Sequence, residues 1–114
     1  MSGIGVDMVE VKRFRALKRG AGERFLTNTF SDRERNYCLS FKDSAPHFAG
    51  TFAAKEAVQK ALNEDSPGLS ELEIRRDKSG QPQVWMRGKR ARSVHVSITH
   101  IKTLACAVAV SLRL

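Results

Sequence analysis

Asp7, Glu56 and Lys60 are the residues of this 114-residue chain whose surroundings are hardest to explain without chemistry. Asp7 sits among Gly5, Val6, Met8 and Val9, a strand-like run in which aspartate is disfavoured and costly to bury unless paired or metal-bound. Glu56 and Lys60 lie in FAGTFAAKEAVQKAL, Phe48 to Leu62, a segment otherwise built largely from alanine and apolar residues. Strong helix formers fill Thr51 to Leu62 and no proline interrupts them, so a helix is predicted there. At about 100° per residue, Ala53, Ala54, Ala57, Val58, Ala61 and Leu62 share one broad face, while Phe52, Lys55, Glu56, Gln59 and Lys60 take the other. Glu56 and Lys60 then stand one turn apart at the margin of the buried face. An ordinary ion pair worth ~0.2–0.5 kcal/mol is the plain explanation. The alanines add another, because small side chains let a second backbone approach closely. If the Asp7 strand packs beside this helix, Asp7 and Glu56 can hold one hard cation such as Mg²⁺, which takes one or two protein carboxylates and leaves its other sites to water and substrate phosphates. Contacts of the two carboxylates to arginine are the competing explanation.

The elements that must position these residues follow from local patterns. Ile4 to Val11 reads as a strand, and KRFRALKRGAGERFLTNTF as a helical turn or two broken at GAG. In FSDRERNYCLSF, Ser31 precedes Glu34 by three residues, a capping signature that starts a further helix. KDSAPHFAG reads as a loop before the long helix, and NEDSPG stops that helix. SELEIRR and QPQVWMR flank DKSG as one hairpin, and VHVSITH and LACAVAVSL flank IKT as a second. Helices in the first half and strands in the second predict an α+β fold with helices packed on a small antiparallel sheet, in a single domain spanning 1–114. In the last strand Leu104, Cys106, Val108, Val110 and Leu112 oppose Ala105, Ala107, Ala109 and Ser111, so neither face is polar. One face is expected on the helix, and the other on a second subunit or elsewhere in the same chain.

Composition narrows the partners. Twenty Lys and Arg against twelve Asp and Glu give a net charge of +8 and a pI near 10.1, which favours an anionic partner: nucleic acid, an acidic protein or a phosphorylated small molecule. An apolar fraction of 41% argues for a folded chain. Cys38 and Cys106 are too few for a disulfide scaffold and lack zinc-site spacing, which points to a reducing, cytoplasmic setting. The sequence shows neither a leader pattern nor a long apolar span, and no membrane association is expected.

Four segments, GIGVDMVEV, FAAKEAVQKAL, SGQPQV and VHVSITH followed by an alanine-rich strand, together resemble the holo-acyl-carrier-protein synthases, the small bacterial-type 4′-phosphopantetheinyl transferases. They occur in the family's order and spacing and cover nearly the whole chain. The resemblance implies the family's fold and a homotrimer with coenzyme A in the cleft between neighbours. It implies that the serine hydroxyl of an acidic acyl carrier protein attacks the phosphorus nearer the pantetheine, taking the phosphopantetheine arm and releasing adenosine 3′,5′-bisphosphate. Asp7 and Glu56 match the family's metal-binding carboxylates, Lys60 a phosphate-contacting lysine, and His100 the histidine near the nucleotide end of coenzyme A. Lys55 and Thr51 are grouped with Lys60 and His100 on the coenzyme A side. Either Glu56 or a water on the metal can take the serine proton, and the residues leave that choice open. Two departures stand out. Thr51 replaces an arginine that many bacterial members use on a coenzyme A phosphate, so Lys42, His47 or nearby arginines would compensate. NEDSPG also replaces a glycine-rich turn.

The basic segment VKRFRALKR follows Asp7, and Arg13, Arg15 and Lys18 are the expected docking residues for an acidic carrier. A small basic nucleic-acid-binding module is the alternative, supported by the charge and by RGKRAR at 87–92. It leaves Asp7 and Glu56 without a purpose.

Overall fold

A computed structural model of the chain describes residues 2–17 and 21–112. Strand β1 (Gly3–Glu10) leads into a single helical turn, α1 (Lys12–Arg15), then α2 (Ala21–Thr29), α3 (Asp32–Leu39) and the long helix α4 (Ala45–Leu62). Five strands complete the order: β2 (Leu72–Arg76), β3 (Pro82–Met86), β4 (Lys89–Arg90), β5 (Val94–His100) and β6 (Leu104–Ser111). The α+β expectation holds, with two three-stranded antiparallel sheets, β1-β6-β5 and β2-β3-β4, in place of one. The long-range pairing of β1 with β6 closes the chain, and both expected hairpins form. No described helix is long and apolar enough to cross a membrane.

Local chemistry accounts for the helices. Ser31 caps α3 by accepting from Glu34 N at 3.1 Å, while the Glu34 carboxylate accepts from Ser31 N at 2.9 Å, the reciprocal box that the spacing predicts. Helix α4 starts at Ala45, earlier than expected, because a proline in the first turn costs no hydrogen bond and brings its backbone already bent to helical φ. KDSAPHFAG is therefore loop only in its first part.

Helix α4 is the axis of the molecule. Toward the first sheet it presents Gly50, Ala53, Ala57 and Ala61, and β1 answers with Gly3 and Gly5. A Cβ at Gly3 would stand 2.0 Å from Ala61 O, and one at Gly5 2.0 Å from Ala57 O, so only glycine lets the strand lie directly on the helix. On its other sides α4 packs into an aromatic cluster, with Phe30–Phe48 centroids 5.1 Å apart and Phe14–Phe52 5.7 Å apart. Phe52, expected on the polar face, is therefore buried. Trp85, read from sequence as a packing residue, lies half-buried beneath the Arg75 guanidinium, 3.7 Å from the ring centre.

The last strand divides as its pattern implies. Ala105, Ala107 and Ala109 are buried, facing α4, while Cys106, Val108 and Val110 look outward with Ile4, Val6 and Met8 of β1. Val6 is 54% exposed and Met8 63%, which leaves an apolar sheet face uncovered in the single chain.

Candidate functional site

The glycine contact between β1 and α4 sets the level of the two carboxylates. Gly3 meets Ala61 and Gly5 meets Ala57, so each two-residue step along the strand, ~6.7 Å, matches one four-residue step down the helix, ~6 Å. The next step brings Asp7, half-buried on the helix-facing side, to the level of the turn holding Ala53 and Glu56. Lys60 crosses the gap. Its Nζ donates to Val6 O at 2.9 Å and lies 3.4 Å from Asp7 Oδ1.

The simple Glu56–Lys60 pair is therefore not formed, because Lys60 bends toward the strand. Among the described residues no hydrogen bond or ion pair engages the half-buried Glu56 carboxylate, and Asp7 has only the long contact to Lys60. Among the described residues neither carboxylate is held by an arginine. A half-buried carboxylate with unspent acceptor capacity, on the helix turn level with Asp7 of the strand, fits a hard oxygen-loving cation. No cluster of three or more His, Cys, Asp or Glu forms among the described residues, so a cation here would draw its other ligands from water or substrate.

Lys55 and Thr51 do not join this group. The Lys55 ammonium is fully buried, donating to Glu34 Oε1 at 2.7 Å and Thr29 O at 2.6 Å. Burial pushes its pKa down, against the opposing pull of the Glu34 carboxylate. Glu34 is a hub, because its second oxygen accepts from Ile74 N at 2.7 Å and thereby ties α3, α4 and β2 together. Thr51 is buried too, its hydroxyl donating to His47 O at 2.8 Å with Cys38 Sγ at 3.7 Å. The expectation that these two side chains bind coenzyme A is corrected on that ground: both are consumed inside the fold. The helical wheel sets Lys55 on the polar face because it allows for one buried face, whereas α4 is covered on nearly every side.

His100 is exposed at the end of β5, in a second cluster. Its ring lies 5.6 Å from that of His47, which stacks on Phe41 at 3.5 Å with Tyr37 edge-on at 6.2 Å. Burial, with His100 and Arg76 close by, holds the His47 imidazole below its ordinary pKa. His100 is opposite Ala105, which is opposite Val9, so it stands two strands across and two residues along from Asp7. That is roughly 12 Å between backbones, beyond the reach of one ion and within the span of an extended ligand.

Of the docking residues, Arg13 lies 5.0 Å from the Phe52 ring centre and Arg15 forms a bidentate pair with Asp43. Lys18 lies outside the described residues. Glu34, Phe41 and Asp43 were not singled out from sequence. Glu34 was legible as a cap only, and the Asp43 partnership spans 28 residues with no local signal.

A family model described as the 4′-phosphopantetheinyl transferase superfamily matches residues 3–109. A holo-[acyl-carrier-protein] synthase of Thermodesulfovibrio yellowstonii is 37% identical over 111 residues, covering 96% of this chain and 97% of that protein. A Bacillus anthracis holo-(acyl-carrier-protein) synthase solved in complex with CoA (3′,5′-ADP) superposes with a TM-score of 0.79 at 30% identity, over 96% of this chain and 94% of that one. A Helicobacter pylori holo-[acyl-carrier-protein] synthase in complex with coenzyme A has a TM-score of 0.79 at 27% identity, over 96% and 99%.

Proposed function

The chain belongs to the 4′-phosphopantetheinyl transferase superfamily, and we propose that it is a Mg²⁺-dependent holo-acyl-carrier-protein synthase with Asp7, Glu56 and Lys60 at its reacting centre. The observation that carries this is the glycine-lined seam that sets Asp7 level with the unpaired Glu56 carboxylate, with Lys60 bridging to the strand. Asp7 and Glu56 would hold the cation, which would supply charge neutralisation at the coenzyme A pyrophosphate. Lys60, more than half exposed, adds a mobile positive charge to the same phosphates. Positioning and charge neutralisation are what phosphoryl-type transfer mainly requires. The carrier serine oxygen forms a bond to the phosphorus nearer the pantetheine, the anhydride bond breaks, and adenosine 3′,5′-bisphosphate departs with the electron pair. The Glu56 carboxylate accepts the serine proton.

His100 and His47 serve the nucleotide end of coenzyme A from a neighbouring subunit. The uncovered apolar face of Ile4, Val6, Met8 and Val108 supports a homotrimer whose clefts hold the substrate. Mixing inactive Glu56→Ala with inactive His100→Ala subunits is expected to restore part of the activity. Arg13 and Arg15 meet the acidic carrier. The single core around α4 supports reading 1–114 as one domain, and free Cys38 and Cys106 support a reducing, cytoplasmic setting.

The basic nucleic-acid module is not favoured: RGKRAR forms a tight hairpin in which Arg87 is bonded to Glu71 at 3.1 Å, and the superfamily is one of transferases. Incubation with coenzyme A, Mg²⁺ and apo carrier, followed by intact mass, tests the proposal. Addition of the phosphopantetheine arm supports it, and an unmodified carrier across several acidic carriers refutes it.

A further inference from the structure

Arg15 and Asp43 meet fork to fork, Nη1 to Oδ1 and Nη2 to Oδ2, each at 2.7 Å. The pair joins α1 to the segment before α4 and closes one side of a groove completed by Glu10, Lys12, Lys102 and Thr103. Lys12 reaches Glu10 at 3.2 Å, whereas Lys102 engages no carboxylate among the described residues. Both members of the Arg15–Asp43 pair remain about half exposed, at 45% and 53%. An exposed pair contributes little to a fold. Its bidentate geometry nonetheless fills the guanidinium with the ligand that its planar fork matches best, a carboxylate.

Resting on the synthase reading above, we propose that this groove is a carboxylate-docking site for the acidic carrier, and that Asp43 is an internal stand-in which occupies Arg15 until the carrier displaces it. An intramolecular carboxylate on a short tether competes at an effective concentration on the order of millimolar. A partner offering one isolated acidic side chain therefore loses to Asp43. A partner presenting a run of carboxylates gains Lys102 and the Lys12 edge at the same time as it takes Arg15, and it wins. Asp43 thus selects for multiply acidic partners and rejects singly charged ones. Hydrogen bonding to Arg15 holds the Asp43 carboxyl below its usual pKa, so the stand-in stays ionised at neutral pH and the selection is one of charge number.

Transfer kinetics at low salt, measured as a double-mutant cycle, test the proposal. Asp43→Asn is expected to lower the KM for the carrier about threefold without altering the KM for coenzyme A. The effect is expected to vanish in an Arg15→Gln background, because Asp43 acts through Arg15. Arg15→Gln alone and Lys102→Gln alone are expected to raise the carrier KM. A lowered KM that persists in the Arg15→Gln background would mean a general charge effect and overturn the stand-in. A raised KM for Asp43→Asn would make the pair a structural brace, and an unchanged carrier KM for Arg15→Gln would place docking elsewhere. Either result overturns the proposal while leaving the synthase reading intact. That reading fails separately, if the unaltered chain modifies no carrier at all.

Discussion

Gly5→Ala perturbs the seam that lays the Asp7 strand directly on α4. The added Cβ would stand 2.0 Å from Ala57 O and 2.8 Å from both Ala61 N and the Lys60 Cβ, where ordinary contact begins at 3.4 Å. The oxygen belongs to the helix backbone and cannot rotate aside, so β1 must lift from α4 by about 1.4 Å. Overpacking of this kind costs ~1–3 kcal/mol, which corresponds to a fall in Tm of roughly 5–15 °C for a domain of this size. The larger effect is on rate. Asp7 rides on the same strand, two residues away, and displacement by about 1 Å can reduce turnover on the order of 10²-fold. Thermal unfolding and transfer to apo carrier at saturating coenzyme A and Mg²⁺ read the two effects. Gly68→Ala is the control, because its φ of −67° suits any residue and the nearest atom to its new Cβ lies 3.9 Å away. A Gly5→Ala protein with a Tm within about 2 °C of the parent and a rate within about twofold would refute the direct strand–helix contact and the siting of Asp7 that depends on it.

Lys55→Met leaves the Glu34 carboxylate buried without its cation, so a loss of ~3–5 kcal/mol in denaturant-induced unfolding is expected. A variant as stable as the parent would show that the pair is not closed. Desolvation pushes the Cys38 thiol pKa up to about 12, so Cys38 is expected to resist alkylation at pH 8 and to react only after unfolding, as read by intact mass. Val108→Asp places a charge in the outward apolar face and is expected to convert the proposed trimer to monomers in sedimentation. An unchanged sedimentation coefficient would remove that face from the interface.

Much of the fold was legible in short-range patterns. Ser31 and Glu34 announce the start of α3 because a cap is settled within four residues, and the alternation in LACAVAVSL separates the helix-facing alanines from the outward valines because strand period is local. The site was legible in part for a related reason. Asp7 and Glu56 stand out against apolar neighbours whatever they touch. Lys55 was set on the polar face because a wheel knows one buried face, and α4 has neighbours on several sides; Thr51, which the resemblance put beside coenzyme A, is buried as well. Their partners Glu34 and Cys38 come from α3 and carry no mark of that pairing in the sequence. Asp43 was invisible in the same way, since its role is defined by Arg15, far away along the chain.

The central claim is that Asp7 and Glu56 act as a pair on a cation at the coenzyme A pyrophosphate. Intact-mass analysis of apo carrier incubated with coenzyme A, excess Mg²⁺ and either Asp7→Ala or Glu56→Ala tests it most directly, with circular dichroism of each variant as the check on folding. Folded variants that leave the carrier almost entirely unmodified are the expected result. Near-parental transfer by both variants would contradict the account.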